Sequence, residues 1–162
     1  MGGTDPKGLT LPVVKMLLDI NQTLQITAVL SPQHRDANNL KNLAEPEQLT
    51  LSPPVACLGD LLTEHDAVIC SGGVTLHEAL TVGTPALVVP QVAHQEDKAR
   101  LMEKRGAARL LGPPAIIKKE VLEEAVKTSP ESLQAMSHTG RKIVDGCGLK
   151  RITQSILNLI EK

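Results

Sequence analysis

Five short apolar runs alternate along the chain with longer segments of helical period, and this alternation constrains the fold more than any other feature. Leu24–Leu30 alternates and is rich in β-branched residues, while Leu49–Leu51, Ala67–Cys70, Ala86–Val89 and Ala108–Leu111 are shorter. Helices are predicted around them at Leu9–Ile20, His34–Leu43, Val55–Glu64, Val74–Thr81, His94–Lys104, Lys118–Lys127, Ser129–Val144 and Leu149–Ile160. In the first of these, Leu9, Val13, Leu17 and Ile20 share one face. Strands separated by helices are parallel, because each helix carries the chain back along the sheet. The expected fold is therefore α/β, a doubly wound parallel sheet of Rossmann-like type with helices on both faces. A chain of 162 residues makes one domain, spanning 1–162. Ligands of such sheets sit beyond the carboxyl ends of the strands.

The core of this domain has to be aliphatic, because the sequence contains no Phe, Tyr or Trp. No base or sugar can stack on a ring within this chain, so a bound nucleotide has to be held by backbone amides, aliphatic surfaces and a few polar side chains. The 17 basic and 18 acidic residues are interspersed, which excludes a polyanion-binding stripe and makes nucleic acid an unexpected partner. Cys57, Cys70 and Cys147 cannot all pair and match no zinc spacing. No apolar run of about 18 residues precedes them, so no transmembrane segment is expected and a reducing cytoplasm is the simplest location. His34, His65, His77 and His138 lack metal-ligand spacing and are read as surface or packing residues, so no metal is expected.

Two glycine-containing turns can hold an anion. Gly2-Gly3-Thr4-Asp5 precedes Pro6 and a helix, so its small residues expose backbone N–H groups beside a helix N-terminus. Ser71-Gly72-Gly73-Val74-Thr75 lies at a strand-to-helix turn, where two hydroxyls and consecutive amides can share one phosphate. Glu78 follows five residues after Gly73 on the same helix, within reach of a sugar placed behind such a phosphate, where a carboxylate accepts hydrogen bonds from a ribose diol. Each feature has a plainer reading. The turns can be ordinary glycine turns with Thr4, Asp5 or Thr75 as helix caps, and Glu78 a solvated surface residue.

The segments MGGTDPKGLTLPV, SGGVTLHEALTVGTPALVVPQ, HQEDKARLMEKRGAA and VDGCGLKRI, in this order, carry a resemblance to a known family. Together they resemble the C-terminal half of the UDP-sugar hydrolases of pseudaminic acid biosynthesis and the spore coat polysaccharide biosynthesis proteins. Both are relatives of the peptidoglycan N-acetylglucosaminyltransferase in the GT-B superfamily. The resemblance runs from Gly2 to about Arg151 and is most specific over Ser71–Gln95. It implies a UDP-sugar ligand and no other cofactor. It also implies that Gly2, Gly3 and Thr4 form one diphosphate loop, that Ser71, Gly72, Gly73 and Thr75 flank the phosphates, that Glu78 binds the uridine ribose, and that Gln95 faces the sugar or distal phosphate. His94 stands where the family often has Asn; it could still donate to a phosphate, or be a solvated helix residue.

The resemblance further implies a hydrophobic strand ahead of the Gly-Gly-Thr motif as the first, central strand of the sheet, which the sequence does not contain. It places the catalytic and acceptor-facing groups in an N-terminal domain. The expectation is thus a nucleotide-sugar-binding domain of a hydrolase or glycosyltransferase, inactive by itself and partnered by an N-terminal catalytic domain or subunit. The alternatives are the nucleotide-binding subunit of a split glycosyltransferase and a non-catalytic redesigned scaffold.

Overall fold

The computed structural model describes residues 1, 5–43 and 47–160. Eight helices and five strands follow one another among these residues: α1 (Thr10–Ile20), β1 (Ile26–Val29), α2 (Ala37–Lys41), β2 (Leu49–Ser52), α3 (Leu58–Thr63), β3 (Val68–Cys70) and α4 (Val74–Val82). They continue as β4 (Ala86–Val88), α5 (Ala93–Lys104), β5 (Ala108–Leu110), α6 (Lys119–Val126), α7 (Pro130–Ile143) and α8 (Gly148–Ile160). The predicted order is present, with two helices shorter than expected. After the Pro53–Pro54 pair the chain bends at Ala56 and Cys57 is extended, so α3 begins at Leu58 rather than Val55. Around His34 the backbone makes turns instead of helix, with the His34 ring accepting a hydrogen bond from the Asp36 amide, so α2 starts at Ala37.

All strand pairings among the described residues are parallel, but they form two sheets rather than one. β1 pairs with β2, and β3, β4 and β5 pair in that order, with β4 central. β4 is buried on both faces, as an inner parallel strand must be. Ala86 and Val88 face a cluster with Leu76, Leu80, Ala99 and Met102, on the side of α4 and α5. Leu87 and Val89 face the opposite cluster, with Leu9, Val13 and Leu17 near or on α1 and Leu122 of α6. α1 lies across the two sheets, because its Val14 joins Ala28, Leu40 and Leu49 in a third cluster over β1 and β2. Leu fills the space that aromatic rings would otherwise take: Leu40, Leu76, Leu80, Leu111 and Leu122 are among the largest fully buried side chains.

A cleft of ≈ 1310 Å³ is lined by the whole of β1 and the whole of β3. Helix α8 buries none of its residues and exposes Leu149, Ile152, Ile156, Leu157, Leu159 and Ile160. No helix among the described residues is long and apolar enough to cross a membrane.

Candidate functional site

The carboxyl ends of β3 and β4 are where the expected site residues gather. Ser71 is buried just past β3, and Gly72 follows with φ +79°, a conformation that a side chain rarely adopts. A Cβ on Gly72 would lie 3.0 Å from Val88 Cγ1 and 3.2 Å from the Gln95 carbonyl oxygen. The turn is therefore packed between β4 and the start of α5. Gly73 is the N-cap of α4 and, lacking a side chain, leaves the first amides of that helix without a side-chain acceptor. Thr75 is half-buried in the first turn, and Glu78 is half-buried three residues later on the same face. Five residues of helix put Glu78 roughly 7 Å along the axis from Gly73.

Gln95 closes the other side. It is half-buried in the first turn of α5, and its Nε2 would be 3.9 Å from a Cβ on Gly73. Its Oε1 accepts a hydrogen bond of 2.8 Å from the Gln91 amide. His94 is exposed beside it. Val92, the N-cap of α5, likewise offers no side-chain cap, so the N-termini of α4 and α5 both present open donors near one point. The structure thus brings Ser71, Gly72, Gly73 and Gln95 together, with Thr75 and Glu78 extending from them along α4. Gly2, Gly3 and Thr4 lie outside the described residues.

The segments flanking that first motif are described. Asp5 is fully buried, and its two carboxylate oxygens accept from the Leu9 amide at 3.0 Å and the Thr10 amide at 2.8 Å. The N-terminus of α1 is therefore satisfied internally by a carboxylate and is not an open anion site. At the carboxyl ends of β3 and β4, the helix starts without a side-chain cap are those of α4 and α5. Burial pushes the Asp5 carboxyl up, but hydrogen bonds from Thr10 and Leu9 and the nearby N-terminal ammonium outweigh it and hold the group below its ordinary value. His34 Nε2 sits 3.6 Å from Asp5 Oδ2 and is, among the described residues, a buried side-chain nitrogen without a hydrogen-bond partner.

Replacing Asp5 by Asn is expected to cost about 1–3 kcal/mol of stability at neutral pH, because one oxygen of a carboxylate bonded by two backbone amides becomes an NH₂ group that cannot accept. Because the folded-state pKa is depressed, that contribution is present above the ordinary value of 3.8 and is lost as the pH falls through the folded value. Denaturant melts of both proteins between pH 7 and pH 2 should therefore converge at the acid end. A constant gap would refute the assignment.

Gln91 was not legible as a site residue, yet it ties this end of the fold together. It is buried, its Nε2 donates to the Met1 carbonyl, and its Oε1 accepts from the Lys7 amide at 3.2 Å. With the Gln95 bond, Gln91 links both flanks of the Gly2–Thr4 motif to the β3–α4 turn. The available signal was a polar residue directly after an apolar strand and Pro90, at the carboxyl end where ligands bind. The Arg35 guanidinium lies against Gly8, so that a Cβ there would be 1.8 Å from Nη2, and its Nε is 3.5 Å from Asp36 Oδ2. Cys70 adds no nucleophile, since burial pushes its thiol up to about 11. No cluster of three or more potential metal ligands occurs among the described residues.

The glycosyltransferase family 28 C-terminal domain matches residues 11–145. The spore coat polysaccharide biosynthesis protein SpsG of Bacillus subtilis is 28% identical over 100% of this chain and 50% of its own length. The UDP-N-acetylglucosamine–N-acetylmuramyl-(pentapeptide) pyrophosphoryl-undecaprenol N-acetylglucosamine transferase of Desulforudis audaxviator is 32% identical, over 72% of this chain and 32% of its own. Among solved structures, the S. aureus MnaA–UDP co-structure superposes with a TM-score of 0.74 at 16% identity, over 99% of this chain and 46% of that one. That likeness shows the fold, a Rossmann-like domain of GT-B type. The chain spans half or less of the length of these proteins, and the glycosyltransferase relation comes from the family match and the Desulforudis relative, with no hydrolase among the names.

Proposed function

The chain belongs to the glycosyltransferase family 28 C-terminal domain family, and on that premise we propose that it is the nucleotide-sugar-binding domain of a two-domain glycosyltransferase, with a UDP-sugar as ligand. The observation that carries this reading is the convergence of the uncapped α4 and α5 N-termini on the Ser71–Gly73 turn. Their amides and aligned peptide dipoles stabilise a diphosphate, each terminus contributing about 0.3–1 kcal/mol when exposed and up to ~2 kcal/mol when partly buried. Ser71 and Thr75 add hydroxyl donors, and Gln95 reaches the distal phosphate or sugar beside His94. Gly2, Gly3 and Thr4 complete the diphosphate loop, between Met1 and Lys7, which both hydrogen-bond to Gln91. Glu78 accepts from the ribose hydroxyls.

In transfer from a nucleotide sugar, negative charge builds on the departing diphosphate as the glycosidic bond breaks, and fixed donors aimed there stabilise it without reorganising. This domain supplies that leaving-group stabilisation. The groups that activate an acceptor come from an N-terminal domain or subunit, and the exposed apolar side chains of α8 are consistent with a surface that such a partner covers.

Calorimetric titration of the chain with UDP tests the reading. Glu78→Ala is expected to weaken binding by about 1–3 kcal/mol, roughly 5- to 150-fold, with the melting temperature of the free protein unchanged. Equal affinity in the two proteins would remove Glu78 from the site. Absence of any affinity for UDP or other uridine nucleotides would remove the whole proposal.

A further inference from the structure

One buried glutamine connects the two parts of the proposed diphosphate site. Gln91 follows Pro90 at the carboxyl end of β4 and is 5% exposed. The main chain leading to it is pinned from two sides. The Val89 amide donates to the Cys70 carbonyl at 2.9 Å, and the Pro90 carbonyl accepts from the Ala115 amide at 2.7 Å. With φ of Pro90 also restricted by its ring, the Gln91 side chain extends from a rigid base.

The partners of this side chain select a single orientation for it. A primary amide donates at one end and accepts at the other, and both ends of Gln91 meet main-chain groups whose roles cannot be exchanged. Nε2 donates to the Met1 carbonyl, and Oε1 accepts from the Lys7 amide at 3.2 Å. A flipped amide would set carbonyl against carbonyl and N–H against N–H. The same argument orients Gln95. Its Oε1 accepts from the Gln91 N–H at 2.8 Å, so its NH₂ group is the end that faces Gly73, 3.9 Å from a Cβ built there. Gln91 therefore acts twice: its main chain turns a donor toward the mouth of α4, and its side chain holds both flanks of Gly2–Thr4. Asp5 adds a further anchor, since its side chain accepts from the Leu9 and Thr10 amides and its carbonyl from the Gly8 amide at 2.9 Å. These flanks are fixed before a ligand arrives, which lowers the cost of ordering on binding.

We propose, resting on the nucleotide-sugar reading above, that Gln91 is a positioning residue that makes the site prefer a nucleoside diphosphate to a monophosphate. The Ser71–Gly73 turn and the first amides of α4 serve one phosphate. The second phosphate takes its donors from the Gly2–Thr4 segment and the Gln95 NH₂ group, and Gln91 places both. A monophosphate uses the first set alone, so it gains nothing from Gln91.

The test is titration of the 162-residue chain and of Gln91→Met with UDP and with uridine monophosphate. Met keeps the length of the side chain and removes both of its hydrogen bonds. UDP affinity should fall by about tenfold or more, and monophosphate affinity by about threefold or less. A purely structural glutamine would weaken both ligands equally, and that result overturns the proposal, as does unchanged UDP affinity. Amide resonances of the unaltered chain give a second readout that does not depend on the variant folding. UDP should shift Gly2, Gly3, Gly72 and Gly73, and the monophosphate chiefly Gly72 and Gly73. Bound UDP that leaves Gly2 and Gly3 unshifted overturns the proposal while the nucleotide site stands. An unaltered chain with no affinity for UDP removes the nucleotide-sugar reading, and this inference with it.

Discussion

Leu80→Ala is expected to lower the unfolding free energy by about 2–5 kcal/mol, and Gly140→Ala to restore part of the loss when the two are combined. Leu80 is buried to 1% exposure in α4, within the cluster that holds α4 against β4. Truncation removes apolar contact and leaves a cavity, because the backbone around it relaxes only in part. For a domain with about 5–15 kcal/mol of total stability, one such change is a large fraction of the whole. Helix α7 crosses α4 closely at Gly140, where an added Cβ would meet Leu80 Cδ2 at 2.9 Å. Alone, Gly140→Ala forces that side chain to move, at a cost of about 1–3 kcal/mol partly offset by a gain of ~0.5–1 kcal/mol in helix propensity. In the double variant the new methyl enters space that Leu80 has vacated. Chemical denaturation of the four proteins should therefore give a total below the sum of the single effects. A strictly additive result would place the two residues out of contact.

An aliphatic core makes this sensitivity general. With no ring to spread burial over a large area, Leu76, Leu80, Leu111 and Leu122 are each fully buried, and α4 reaches the candidate site only because Leu76, Ala79 and Leu80 fix its inner face. The outer face is then free to carry Thr75 and Glu78.

The order of elements was legible because period-two and period-3.6 patterns are local properties of the chain, as in the apolar run Ala86–Val89 against the helix ending before Gly83. What was hidden depends on partners distant in sequence. Asp5 could be read as a cap or as part of an anion turn, and only the structure shows that its carboxylate binds the Leu9 and Thr10 amides, with Leu9 itself at the N-cap of α1. Gln91 ends one of the segments that carry the resemblance, but its role comes from Met1 and Lys7, more than 80 residues away. The division of the described strands into two sheets follows from the pairing of β1 with β2 alone, which no local pattern encodes. Within the candidate site, the Ser71–Gly73 turn was read from the residues and Gln95 from the resemblance, and the close approach between them emerged only from packing.

Substitution at the glycine pair should separate the stability of that turn from its affinity for a nucleotide. Gly72→Val is expected to destabilise the domain by about 2–5 kcal/mol, through roughly 1–2 kcal/mol for forcing a side chain into the left-handed region and about 1–3 kcal/mol for overpacking. The overpacking is specific, since the new Cβ would press on Val88 Cγ1 and the Gln95 carbonyl, one in β4 and the other in α5. Gly73→Ala differs in kind. Gly73 has φ −81°, and its added methyl would meet only Gln95 Nε2, at 3.9 Å, so the cost in stability should be about 1 kcal/mol or less. That methyl nevertheless stands at the mouth of α4, in the space where the proposed diphosphate lies, and titration with UDP should show at least a tenfold loss of affinity, about 1.4 kcal/mol. Thermal melts that rank the two variants in the opposite order would contradict the packing of the turn. A Gly73→Ala protein that binds UDP like the unaltered chain would move the diphosphate away from α4.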